Sequence, residues 1–338
     1  MISVIVPAFN SEKTIAETIS SILSQKTKKE FELIVVDDAS TDSTLKKISE
    51  FDKVKLIKLE KNSGPAVARN AGAKKARGEI IVFTDSDCVA EKNWLEEMIK
   101  PFEDTKVVGV QGAYKTKQNS LTARFVQAEI EDRYDLMKKS MQKNGSIDFI
   151  GSYSAAYRKK TFLEFNGFNE SFPIASGEDP ELSYRMEKKG LKLEFNPKAV
   201  VWHVHPESFL KYIKVKFFRG YWRVLMYKEH KDKMLKDSYT PQALKFQIIL
   251  LYAIITGLIL TALNKLIQFN PLISNSVNSA LSLFIITAAA LFILSIIPFT
   301  LKALKKDVAA GILVPAFVFF RTIAFCSGLI TGILKVKK

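Results

Sequence analysis

The sequence predicts an α/β fold: a mainly parallel, Rossmann-like sheet, followed by amphipathic interface helices and C-terminal transmembrane helices. Three observations carry that expectation. Short apolar runs alternate with helical patterns through about residue 90. Polar clusters close three of those runs. Long uncharged stretches fill the last third of the chain.

The first run, ISVIV at 2–6, is ended by Pro7. FELIVV at 31–36 repeats the pattern and runs into Asp37 and Asp38, and VKLIKL (54–59) and EIIVF (79–83) follow. Helical patterns at 11–25, 41–51 and 64–77 lie between them. Strands alternating with helices through short connections imply right-handed crossovers and parallel pairing. Such sheets bind ligands at the carboxyl ends of their strands. The clusters AFN, DDAS and TDSDC all sit there, so they predict one shared site.

From 91 to about 205 the order loosens. WLEEMIKPF reads as a helix, VVGVQGAY as a strand, and 119–141 as a long charged helix. DFIGSYSAAYRKKTF reads as a strand entering a helix, and GEDPELSYRMEKKG as a helix stopped by Gly190. LKLEF and AVVWHVH read as two paired strands. There is no internal repeat and no low-complexity tract.

Charge separates the chain into regions. Residues 1–207 hold 32 basic and 31 acidic side chains, 208–240 hold 9 and 3, and 241–338 hold 9 and 1. The basic excess therefore lies in and beside the apolar third, which points to anionic lipid rather than nucleic acid. Two distant cysteines, Cys88 and Cys326, provide neither a disulfide framework nor a cysteine-based metal site. The start, MISVIVPAFN, reads as a strand with no signal peptide, so the N-terminal domain is expected in the cytoplasm.

Residues 206–235 interleave Phe, Tyr, Trp and Leu with Lys and Arg, which suits helices lying in a bilayer interface. A span needs about 20 apolar residues. Spans are expected at about 246–266, whose first 18 residues carry no charge, and at 280–301. The segment 308–334 leaves two paths open. Arg321 divides it into apolar halves of 13 residues. A single crossing sets that charge near mid-membrane at about 2.5–3.5 kcal/mol, and a re-entrant path keeps Lys335, Lys337 and Lys338 on the inner side. The expected organisation is a catalytic domain at 1–205, interface helices at 206–240 and a transmembrane region at 241–338, a multi-pass protein of the cell membrane.

FTDSDCV, at 83–89, ends a strand in two acids that share a face. Hard carboxylate oxygens spaced Asp-x-Asp suit Mg²⁺ or Mn²⁺ held together with substrate phosphates. A divalent cation removes the mutual repulsion of Asp85 and Asp87, and it stabilises a departing diphosphate as a Lewis acid. Taken alone, such a pair is common.

In company it is specific. VIVPAFN, VVDDASTD, GPAVARNAGAKKARGEIIVFTDSD and GFNESFPIASGEDPELSYRM occur in that order over about residues 1–205. In this the sequence resembles family 2 glycosyltransferases of the GT-A fold. The resemblance implies a nucleotide-sugar donor, a divalent metal and inversion at the sugar carbon. It implies that Pro7, Ala8 and Asn10 line the nucleotide, and that Asp37 or Asp38, Asp38 foremost, holds the base or ribose. Gly64 and Arg69 match the family's G-x-x-x-A-R-N segment, with Arg69 on the nucleotide or its phosphates and Asp85 on the donor as well as the metal. Asp179 is the implied base that takes the acceptor's proton, and Glu178 orients the acceptor. His203 or His205, equal at this point, is implied to meet the metal or the diphosphate. Ordinary structural roles compete with these: a helix cap for Asp37, packing for Asn70, and helix-dipole charge for Glu178 and Asp179.

One departure matters. Processive relatives carry Q-x-x-R-W near the membrane, and KFFRGYWRV here lacks it. The expectation is therefore one sugar per binding event, passed to a lipid-linked or surface-glycan acceptor at the cytoplasmic face. A polyprenyl-phosphate sugar synthase is the alternative, and an inactive membrane scaffold a remote one.

Overall fold

The computed structural model describes residues 1–172, 177–234, 237–267 and 271–335. The parts of the expectations that fall on 173–176, 235–236 and 336–338, Lys337 and Lys338 included, lie outside the described residues. The chain divides into two compact units. The first comprises 1–119, 133–206 and 225–239, and the second 120–132, 207–224 and 240–338.

The first unit is built on eight strands: β1 (Ile2–Ala8), β2 (Phe31–Asp37), β3 (Val54–Lys58), β4 (Ile80–Thr84), β5 (Cys88–Ala90), β6 (Val107–Lys115), β7 (Ser154–Arg158) and β8 (Lys192–His203). They form one sheet in the order β3-β2-β1-β4-β7-β6-β8-β5. β3, β2, β1 and β4 are parallel, as the strand–helix alternation predicts. β7 runs antiparallel between β4 and β6, and β8 lies parallel to β6. The carboxyl ends of β1, β2, β4 and β8 therefore share one edge. β1 is buried along its whole length, because helices cover both faces of a parallel core.

Helices α1 (Ile15–Leu23), α2 (Thr44–Ser49), α3 (Pro65–Lys75), α4 (Trp94–Ile99), α6 (Lys159–Glu164) and α7 (Glu178–Glu187) belong to this unit, and α5 (Leu121–Asn144) enters it at residue 133. Gly64 caps α3 at φ 90°, a value open to glycine and strained for other residues. Trp94 is fully buried and donates to Ser154 Oγ at 2.9 Å.

LKLEF and AVVWHVH are not two paired strands. They form the single strand β8, which pairs with β6 on one side and β5 on the other. Asn196–Lys198 looks like a turn, yet it is absorbed as an irregularity: Gln111 faces Phe195 and Ala113 already faces Val200. A bulge lets Pro197 sit in a strand without breaking it.

The second unit is helical. It takes the start of α5 and most of α8 (Phe209–Glu229), with α9 (Gln242–Ile267), α10 (Pro271–Lys306) and α11 (Val308–Lys335). The last three are each long and apolar enough to cross a membrane. Half of α11's apolar window is buried, against 22% and 17% for α9 and α10. Arg321 lies inside that shelter and faces protein: it meets Glu129 of α5 and Gln247 of α9. Phe125, Tyr212, Phe292, Phe317 and Val318 belong to the apolar core of this unit.

α11 meets α8 through glycines. A Cβ at Gly328 would stand 2.0 Å from the Phe217 carbonyl oxygen, and one at Gly220 would stand 2.3 Å from the Phe325 carbonyl. Gly332 follows Gly328 at i+4, the small-residue spacing that brings helix backbones together. Gly328→Val must push the helices apart. It is expected to destabilise by about 1–3 kcal/mol, read as a lower thermal midpoint in detergent.

Candidate active site

A cavity of about 820 Å³ opens at the shared edge of the sheet. Its wall takes Pro7, Ala8 and Asn10 from the end of β1, Asp38 after β2, and Gly64 and Arg69 at α3. Asp85 and Asp87 come from the end of β4, and His203 from the end of β8. Residues from five segments meet there because parallel strands deliver their loops to one side.

Asn10 takes a left-handed turn (φ 47°), and its Oδ1 accepts from the Thr41 amide at 2.8 Å. That bond ties the loop after β1 to the loop after β2. Asp38 is buried, and its two oxygens accept from the Ser63 and Gly64 amides, each at 2.8 Å. It thereby sets the turn that starts α3. Asp37, also buried, accepts from the Ser40 amide at 3.2 Å and is not in the cavity wall.

Arg69 joins the two acidic motifs. Its Nη2 lies 2.7 Å from Asp85 Oδ1, and its Nη1 lies 3.0 Å from Glu178 Oε1. Arg69 and Glu178 are both buried, so the guanidinium holds its carboxylates in a low dielectric. Burial opposes the charge on Arg69, but Asp85, Asp179 and Glu178 together hold its affinity for the proton above the usual arginine value. The guanidinium therefore reaches the cavity wall with both Nη groups engaged by this chain's own acids.

Asp179 is half-buried, and its Oδ1 is shut from solvent without a hydrogen-bond partner among the described residues. Burial and the charge of Glu178 push its carboxyl up to about 8, while Arg69 and the Ser152 amide pull the other way. Residues 168–170, earlier in the chain, are pinned by Asn70. Its Nδ2 donates to the Phe168 carbonyl at 2.8 Å and to Glu170 at 2.9 Å, and its Oδ1 accepts from the Phe168 amide.

Asp85, Asp87, Cys88 and His203 each bring one ligand atom within 4.8 Å of the others. The antiparallel pairing of Cys88 with His203 sets this up, leaving His203 Nε2 3.6 Å from Asp87. His205 lies outside the group, with its Nδ1 3.4 Å from that of His203 and its backbone bonded to Gln118. The structure thus separates two histidines that the sequence left equal. Burial pushes the Cys88 thiol well up, so it stays protonated and is a poor ligand for a hard cation. Two carboxylates and an imidazole fit Mn²⁺ or Mg²⁺.

The family model for glycosyl transferase family 2 matches residues 3–164. The match covers just under half of the chain, so it is a similarity of this segment to that family. The matched segment is followed by α7 and β8, which carry Glu178, Asp179 and His203. Among curated proteins, poly-beta-1,6-N-acetyl-D-glucosamine synthase of Staphylococcus aureus (strain COL) is 26% identical over 212 residues, 61% of this chain and 50% of that protein. The synthase of the same name from Staphylococcus epidermidis is 29% identical over the same extent. The chain spans about half the length of the curated relatives it matches. Among solved structures, a mannosyltransferase from Pyrobaculum calidifontis, in complex with GDP-Man and Mn²⁺, matches with a TM-score of 0.62 at 17% identity. That match covers 99% of this chain and 88% of the other, and it shows the fold alone: a mixed-sheet GT-A-like unit followed by C-terminal helices.

Sequence reasoning missed three features of this site: the Arg69 bridge, the Asn70 clasp on 168–170, and the Ser152 amide on Asp179. Each joins segments distant in the chain, and no local spacing announces it.

Proposed function

We propose that the chain is a membrane-anchored, metal-dependent, inverting glycosyltransferase, with catalytic residues in 1–205, interface helices at 206–240 and membrane spans in 241–338. It moves one sugar from a nucleotide donor to a lipid-linked or glycan acceptor at the cytoplasmic face. The supporting observation is the Arg69 bridge: Arg69 and Asp85 line the large cavity, and Arg69 ties Asp85 to Glu178, next to Asp179, neither of which is among the wall residues.

Pro7, Ala8, Asn10, Asp38 and Gly64 cradle the nucleotide, and Asp37 braces the turn beneath it. Asp85, Asp87 and His203 hold the divalent cation. When bound, that cation supplies Lewis-acid stabilisation to the diphosphate. Arg69 keeps Asp85 and Glu178 in register. Asp179 takes the acceptor hydroxyl's proton as that oxygen bonds to the anomeric carbon. The bond from that carbon to the diphosphate breaks, and its electron pair leaves with the nucleoside diphosphate. Attack from the face opposite the leaving group inverts the centre.

The test is a thermal-shift panel of UDP-, GDP- and dTDP-sugars with and without Mn²⁺. One donor is expected to raise the midpoint with Mn²⁺ present, because a true ligand stabilises the fold by mass action. A panel with no Mn²⁺-dependent shift would remove the proposal. His203→Ala is expected to weaken Mn²⁺ by about tenfold or more in the same assay, and His205→Ala far less.

A second reading is repeated addition to a growing chain. The names of the curated relatives favour it. Mass spectrometry of the product decides: a single added residue supports one sugar per event, and a ladder supports polymerisation.

A further inference from the structure

A second cavity, of about 250 Å³, shares Asp87 and His203 with the first. Glu178 and Asp179 are in the wall of neither cavity. The second cavity's other notable lining groups are Glu17, Thr116, Lys117 and Trp202. Trp202 is half-buried, unlike Trp94, which fills the core.

The backbone that carries the ring is held from both sides. In β8, Trp202 pairs with Val89 of β5 and with Lys115 of β6. The loop after β6 is fastened by Gln118, whose side chain accepts from the His205 amide at 2.5 Å and donates to its carbonyl at 3.1 Å. Thr116 Oγ1 donates to the same side chain at 2.9 Å. This wall is therefore set before any ligand arrives. The ammonium of Lys117 lies 5.0 Å from the indole centroid and that of Lys115 5.9 Å, so the ring's electron-rich face is turned toward positive charge. Lys117 is exposed and free to move off the ring.

These parts suit one kind of ligand. The volume is below the ~300–1,000 Å³ of sites for drug-sized molecules, so it holds a single ring. An indole face accepts the polarised C–H face of a pyranose, while Glu17 accepts and Lys117 donates at the hydroxyl rim. A free anion is opposed by Glu17 and Asp87. The geometry points to a carbohydrate subsite in this cavity: a hexopyranose ring stacked on Trp202, beside the cavity that takes the diphosphate. Its occupant is a sugar residue other than the one that reacts.

The test uses the full chain in detergent micelles. Methyl glycosides of glucose, N-acetylglucosamine and mannose serve as probes, followed by saturation-transfer NMR. At least one glycoside is expected to show transfer and to keep it when UDP or GDP with Mn²⁺ fills the first cavity. Trp202→Leu is expected to weaken it on the order of tenfold, about 1.4 kcal/mol. The double variant Glu17→Gln/Lys117→Ala, at exposed positions, is expected to weaken it similarly and serves if Trp202→Leu does not fold. The nucleotide–Mn²⁺ thermal shift should survive in both. No transfer in the wild type, transfer unchanged in the variants, or transfer abolished by nucleotide and Mn²⁺ would overturn the subsite. Should the wild type show no nucleotide–Mn²⁺ shift, the transferase reading would fall, while the sugar signal would still decide this one.

Discussion

Asp179→Asn is expected to lower glycosyl transfer by about 10²–10⁴ and, at the same time, to raise the thermal midpoint near neutral pH. Both effects come from one carboxyl group. Burial beside Glu178 pushes it up to about 8 from the ordinary 3.8. Between those two values the folded chain holds a proton that the unfolded chain has released. Stability therefore falls as pH rises through about 4 to 8, and above 8 the penalty is fully expressed. The amide cannot ionise, so the variant escapes this slope. Its advantage should grow from nothing near pH 4 to the order of a few kcal/mol at pH 8. Melts of both proteins across that range check it, and parallel curves would overturn it.

The same proton bears on rate. Only the ionised form of Asp179 can accept from a hydroxyl, so kcat/KM should climb toward pH 8 and then level. A divalent cation beside Asp85 adds positive charge and draws that climb to lower pH. Nucleotide–Mn²⁺ binding should be unchanged in the variant, which separates lost chemistry from lost folding. A phosphate acceptor is already ionised and needs no strong base. If Asp179→Asn keeps its rate with a polyprenyl phosphate but not with a sugar acceptor, the polyprenyl-phosphate alternative is the right one.

Much of this site could be read from the sequence because local rules place it. An apolar run of five to seven residues followed by Asn10, Asp38 or Asp85 puts each polar residue at the end of a parallel strand, whatever the rest of the chain does. The Glu178–Asp179 pair at the start of α7 follows from helix patterning in the same way. What local rules miss is pairing over distance. His203 differs from His205 because Cys88, 115 positions earlier, pairs opposite it. Arg69 has no local reason to choose carboxylates over phosphate. It does so because Asp85 and Glu178 flank it once the sheet has formed. The reading of β8 as two strands failed for a related reason: Pro197 is a turn signal locally, and only the pairing with β6 turns it into a bulge.

Arg321 shows the same gap in the helical unit, and Glu129 carries the largest effect on stability expected there. The sequence presents a lone arginine in the middle of an apolar helix. The structure gives it a partner: Arg321 Nη1 lies 2.5 Å from Glu129 Oε1, and its Nη2 lies 2.9 Å from Gln247 Oε1. Glu129 Oε2 lies 2.7 Å from Lys216 Nζ, and Tyr212 donates to Oε1 at 3.2 Å. All three charged residues are buried. One carboxylate thus serves two cations from α8 and α11. Glu129→Gln removes the anion and leaves both cations buried, so it is expected to cost about 3–5 kcal/mol. Arg321→Leu should cost less, because Lys216 still answers Glu129. Replacing all three with apolar residues of similar size should recover much of the loss, since no buried charge then remains. Thermal melts of the full chain in detergent rank the series. If Arg321→Leu proves as damaging as Glu129→Gln, the shared carboxylate is not what holds α11 in place.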